Sequence, residues 1–159
     1  MKLISNKDQA GVSLVEVMIA IAIIAIMIVV VGYSVLTYVD ARTQLLDDTK
    51  GLYLAEEGVE LLRALRDEDW NTIDVLTLGD TYGFTVSTTT IGIAGAAEII
   101  DGAFHRSFVV SEVRRDGNDD IDLSGGGSVD PDTRSVTVSV FGPTGTTSLT
   151  SILTNVNAI

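Results

Sequence analysis

Between Val17 and Val39 the chain runs for 23 consecutive residues without a charged side chain, VMIAIAIIAIMIVVVGYSVLTYV. At about 1.5 Å rise per residue, a helix of that length reaches roughly 34 Å, enough to cross a hydrocarbon core of about 30 Å. A helix buried in a soluble core would show a polar stripe, and this run has none. The run predicts a transmembrane helix, and any fold for this chain must keep it in lipid or among other apolar helices. Tyr33 and Tyr38 fall near its far end, where amphipathic aromatics favour the interface. Gly32 and Ser34 are compatible either with a looser helix or with close approach of a neighbour.

The flanks set an expected orientation. MKLISNKDQAG ahead of the run is short and carries Lys2 and Lys7 against Asp8, a balance that favours retention on the cytoplasmic side. The bulk of the chain is then expected outside the cytoplasm. No small-residue cleavage site follows the apolar run, so the run is expected to stay in the mature protein.

Composition narrows the function. The 159 residues fit a single-domain length. They include 22 Asp and Glu against 10 Lys and Arg, a formal net charge of -12. Nucleic-acid binders need clustered positive charge, so no nucleic-acid partner is expected. Hydrophobic residues make up 46% and mean hydropathy is +0.37, which an acidic chain reaches only by segregating apolar and charged residues. With no Cys, disulfides, thiolate metal sites and Cys nucleophiles are excluded. A single His, His105, leaves no multi-His metal centre. His105 reads as a surface residue at a strand start, and Trp70, the one Trp, as an anchor of a helix end on a sheet. Paired catalytic carboxylates, a nucleophile elbow and a phosphate loop are all missing from the sequence, and no enzyme is expected.

Glu16 is the anomaly, a carboxylate at the head of the apolar stretch. Left unpaired in lipid it costs about 2.5–3.5 kcal/mol on insertion scales. Either it marks an interfacial helix start, or it pairs with a positive group inside the apolar assembly. The residues around it, KDQAG followed by VSLVEVMIAIAII, resemble the processing region of type IV prepilins and type II secretion pseudopilins. In that pattern a short basic leader ends in Gly, and Glu is the fifth residue of the hydrophobic helix. Counted from Val12, the fifth residue is Glu16; Val12 itself stands where Phe is the commoner choice. The resemblance implies cleavage by a membrane-embedded prepilin peptidase between Gly11 and Val12 and methylation of the new amino terminus. It also implies that Glu16 meets the N-terminal amine of a neighbouring subunit as helices pack into a filament.

Beyond Val39, Leu45, Leu52, Ala55, Val59 and Leu62 share one helical stripe. The acidic residues and the arginines at 63 and 66 fall mainly off it. The spacing predicts one long helix from about Val12 to Arg66, ended by Asp67–Trp70, with Gly51 and Gly58 each weakening it by about 1 kcal/mol. From Thr72 the composition turns to Thr, Ser, Val and Gly. Tyr82–Thr90, Phe104–Asp116, Arg134–Gly142 and Thr146–Val156 alternate or are rich in β-formers, and Gly142–Gly145 is a tight connection. Ile91–Ala103 carries no clear period; a loop or a short helix fits it. In the segment between the second and third strands, Asp116, Asn118, Asp120 and Asp122 have the spacing that opens an EF-hand loop. Ile121 and Gly127 occupy positions that an EF-hand gives to Gly and to a bidentate Glu, so the loop is not one. A looser oxygen-ligand calcium site at those four residues stands beside the plainer reading of a solvated loop with turn residues.

The expected fold is α+β: a long N-terminal helix, transmembrane then amphipathic, packed on an antiparallel sheet of about four strands, a pilin-like layout. The expected parts are a leader at 1–11, a transmembrane or filament-core helix at 12–39, its amphipathic continuation at 40–70 and a β-rich head at 71–159. The expected function is a structural subunit of a pilus or pseudopilus-like filament, needing no cofactor unless the loop holds calcium. Its partners are the membrane, the prepilin peptidase, other pilin-like subunits and the filament assembly machinery. Without Lys2, Lys7 and Asp8 the chain has 8 basic and 21 acidic side chains, a net of -13. That self-repulsion and the lack of Cys favour a minor subunit. The alternative is a single-span anchored binding module that presents its head outside the cytoplasm and never polymerises.

Overall fold

The computed structural model describes residues 13–87, 89–122 and 125–156. Helix α1 spans Leu14–Glu68. The chain divides into two units, Met1–Thr43 and Gln44–Ile159. In the first, every described residue is exposed. Its hydroxyls are spent locally: Ser34 donates to the Val30 carbonyl at 2.9 Å and Thr37 to that of Tyr33 at 3.0 Å. Such bonds back to the preceding turn remove polar demand from an apolar segment.

In the second unit, α1 residues from Gln44 onward lie on a sheet with a short helix α2, Asn71–Asp74, following. The strands are β1 Thr81–Val86, β2 Ile91–Ala94, β3 Glu98–Ile100, β4 Phe104–Arg115, β5 Ser128–Gly142 and β6 Gly145–Thr154. Their order is β2-β1-β4-β5-β6, with β3 beside β4, and every pairing is antiparallel. Alternation decides the faces. Val136, Val138 and Val140 point inward with Phe108 and Val110 and are 0–1% exposed. They close over Ala55, Val59 and Leu62 of the helix, with Trp70 packed against the same core.

Four expectations need correction. The sheet has six described strands, not about four. Ile91–Ala103, expected as a loop or short helix, supplies β2 and β3 and folds back at Asp101 (φ 52°) and Gly102 (φ 68°), where the Ala103 N–H reaches the Ile100 carbonyl at 3.2 Å. Two successive positive-φ residues make the turn that matches strand twist. β5 starts at Ser128 rather than Arg134. The Glu112↔Arg134 pairing is followed by Val113↔Asp130, so Pro131 falls within the irregularity, where its missing N–H interrupts no regular ladder.

The buried helix stripe also shifts. Leu45 and Leu52 are 65% and 44% exposed, while Gly51, Ala55, Gly58, Val59, Leu62 and Leu65 are buried. The glycines are where the sheet comes closest. A methyl on Gly58 would lie 2.7 Å from Val138 Cγ1, and one on Gly51 would lie 3.1 Å from Thr147 Oγ1.

Candidate functional site

The first turn of α1 is built by backbone bonding at Ser13, whose carbonyl accepts from the N–H of Glu16 at 3.0 Å and of Val17 at 3.2 Å. Glu16 therefore sits in the opening turn, where a carboxylate complements the positive end of the helix dipole. Ser13 and Glu16 also stand three apart, the spacing of a capping box, a local signal that sequence reasoning passed over. Glu16 is exposed, and so are the apolar residues that follow it. Within Leu14–Glu68 lies one stretch long and apolar enough to cross a membrane, and none of that stretch is buried by the chain itself. Gly32 has nothing within 4 Å of an added methyl, so the chain supplies no packing reason for it. Gly11 and Val12 lie outside the described residues.

Residues 6–32 match the prokaryotic N-terminal methylation motif. The motif is found in type IV pilin and pseudopilin systems, and the match ties this chain to pilin-biogenesis machinery in general terms. No curated protein and no solved structure matches the chain. The motif region contains Gly11, Val12, Glu16 and the first part of the apolar run. The single apolar helix is consistent with a membrane anchor. The helix on an antiparallel sheet is pilin-like in general terms.

The acidic loop is organised by turns. The Asp116 carboxylate accepts the backbone N–H of Asn118 at 2.8 Å and of Asp120 at 3.0 Å. Asp122 Oδ2 accepts the Gly127 N–H at 2.6 Å, and Asp119 takes a positive φ of 69°. Asn118 Nδ2 lies 3.4 Å from the second Asp116 oxygen. Among the described residues no group of three or more His, Cys, Asp or Glu is arranged to hold a metal ion. The loop's base is pinned by Arg115, whose Nε donates to Asp130 at 2.6 Å. That bond holds the Asp130 carboxyl below the usual carboxylate range and raises Arg115 above the usual guanidinium value.

His105 is exposed on β4, its ring 6.4 Å from that of Phe141. The residue that sequence reasoning missed is Arg106, 1% exposed beneath the helix. Its Nε and Nη2 donate to Glu98 at 2.9 and 2.7 Å, and Nη1 donates to the Leu54 carbonyl at 3.1 Å. Glu57 lies 3.4 Å away, and the guanidinium sits 5.0 Å from the Phe84 ring centroid. Parity would have found it, since Phe104, Arg106, Phe108 and Val110 share one face of β4.

Proposed function

We propose that this chain is a structural subunit, a minor one, of a type IV pilus or pseudopilus-like filament. The observation that carries the reading is the methylation-motif match at residues 6–32. It is supported by the exposed apolar helix with Glu16 in its first turn. In this reading a prepilin peptidase cuts between Gly11 and Val12, the new amino terminus is methylated, and the assembly machinery draws the chain from the membrane with its head outside the cytoplasm.

The physical argument concerns register. A carboxylate among apolar helices is stable only beside a positive group, and the amine at Val12 of a neighbouring copy is the group that cleavage creates. An axial slip leaves both charges unpaired in low dielectric, at a cost of several kcal/mol. Packing of this kind joins unlike surfaces of successive subunits and leaves the assembly open-ended. Of the processed chain's net charge of -13, most must stay solvated or screened in any filament, which suits sparse incorporation.

Intact mass and N-terminal sequencing of the chain from its native membrane test the reading. A chain beginning at Val12 and heavier by one methyl group is expected. A chain beginning at Met1 in cells with an active prepilin peptidase refutes processing and leaves the anchored binding module. Glu16→Ala is expected to give a cleaved, membrane-inserted chain that is missing from sheared filaments.

A further inference from the structure

The sheet of the head ends on β6, the last strand in the order, with no described strand beyond it. Ten successive residues, Gly145–Thr154, pair with β5 without a register shift. In an antiparallel ladder, residues that exchange backbone bonds alternate with residues that do not. The Gly142↔Gly145 pair closes the hairpin, and just past the strand the Asn155 N–H reaches the Asp132 carbonyl at 2.8 Å. Odd-numbered residues therefore bond inward to β5. Thr146, Ser148, Thr150, Ile152 and Thr154, all exposed, turn their N–H and C=O groups to the open edge. Proline, charge and bulges are the usual devices that close such an edge, and β6 has none of them.

Beside this edge runs a row of carboxylates. Helix α1 follows the inner face of β6 in the same direction. Asp48 accepts from the Thr144 hydroxyl at 2.7 Å, Gly51 faces Thr147, and Arg63 Nη2 lies 3.5 Å from Ser151 Oγ. Between helix and strand is a groove of about 430 Å³, whose lining includes Tyr53, Glu56, Glu57, Glu60, Arg63 and Leu149. Glu57 lies 3.4 Å from the buried Arg106. Glu56 and Glu60 stand on one helix face, about 6 Å apart along the axis. Alternate side chains on one face of a strand stand about 6.8 Å apart. A strand added to β6 thus holds every second side chain over the groove, in step with those two carboxylates. The exposed Glu60–Arg63 pair is too weak to withhold Glu60 from a second cation.

Charge selects the occupant. The carboxylate row favours Lys or Arg at alternate positions of the incoming strand. A second copy has none to offer through a sheet edge: neither β6 nor β2, at the opposite end of the strand order, contains Lys or Arg. Two copies of net charge -12 also repel one another. When a sheet edge takes up a strand, the main chain supplies affinity and alternate side chains supply selectivity. We infer that β6 accepts an extended segment of another protein as a further strand, one with Lys or Arg at alternate positions that face Glu56 and Glu60. The inference is independent of filament assembly, because edge and groove both belong to a single head.

The test is residue-resolved amide hydrogen exchange of the full chain in an uncharged detergent, with a capped decapeptide that alternates Lys with Val or Thr. Exchange at Thr146, Ser148, Thr150 and Ile152 is expected to slow about tenfold, the worth of one net hydrogen bond. Thr147, Leu149 and Ser151 are expected to stay unchanged. A peptide with Glu in place of Lys, and one of the same composition with its lysines in a single block, are expected to give no slowing. Thr150→Pro removes an outward N–H and no bond to the β5 backbone. It is therefore expected to melt close to the parent and to bind the alternating peptide about tenfold more weakly. If that variant melts early, Glu56→Lys on the exposed helix surface replaces it, with an expected loss of about threefold. Slowing at none of the even-numbered residues overturns the inference. Equal slowing by the Glu or block peptide overturns it too, as does undiminished binding by a folded variant. Slowing that appears without peptide as protein concentration rises assigns the edge to a second copy and overturns it equally.

Discussion

At the residue scale, Arg106 is the most constrained side chain in the head. It brings a charge under the helix, and the Glu98 carboxylate and the Leu54 carbonyl receive it. Removing one partner of such a buried pair strands the other, which costs about 3–5 kcal/mol. Arg106→Leu is expected to lower stability by that order in a denaturant titration. Arg106→Lys is expected to recover only part, because a point charge cannot span the fork of acceptors. The two buried glycines of α1 separate by the same logic. Gly→Ala in a helix gains about 1 kcal/mol of propensity, whereas overpacking costs about 1–3 kcal/mol. At Gly58 the new methyl meets buried Val138 at 2.7 Å, with a central strand behind it, so Gly58→Ala is expected to destabilise. At Gly51 it meets the Thr147 hydroxyl at 3.1 Å on the edge strand, which can yield, so Gly51→Ala is expected to raise the thermal midpoint.

At the element scale, the ion pair of Arg115 and Asp130 ties the ends of the two strands that flank the acidic loop. The folded Asp130 carboxyl is held below its ordinary value by the Arg115 hydrogen bond. Its contribution is therefore full above the unfolded value, about 3.9. It fades as pH falls through the folded one. The difference in melting temperature between the parent and Asp130→Asn is expected to be largest near neutrality and to shrink below about pH 4; a difference that grows on acidification would contradict the pairing. The elements legible in the sequence were those whose period was long and clean: the uncharged helix, the Val136–Val138–Val140 strand and the Gly142–Gly145 turn. β2 and β3 escaped because four and three residues are too few to display a period. Asp101-Gly102 nonetheless carried the hairpin signal. Ala55, Val59 and Leu62 of the expected helix stripe are buried, but Leu45 and Leu52 were ranked above glycine, when close approach of the sheet made Gly51 and Gly58 the buried residues. The methylation motif at residues 6–32 was legible because it is local, whereas the faces of the sheet exist only once the strands are in register.

At the scale of the whole molecule, the two units differ in how much apolar surface they cover. The described part of the first covers none of its apolar surface, while the second, from Gln44 onward, has its own core of Ala55, Val59 and Leu62 against Phe108, Val136 and Val138. A chain beginning at Gln44 is expected to be soluble without detergent and to melt cooperatively, as followed by circular dichroism. Loss of the cooperative transition would show that the head depends on the preceding helix. Its sole indole, at Trp70, is half-buried against that core, and the apolar helix contributes none. Excited near 295 nm, the purified full chain therefore reports on its head alone, so the head's unfolding can be followed by fluorescence in detergent or in reconstituted vesicles without labelling.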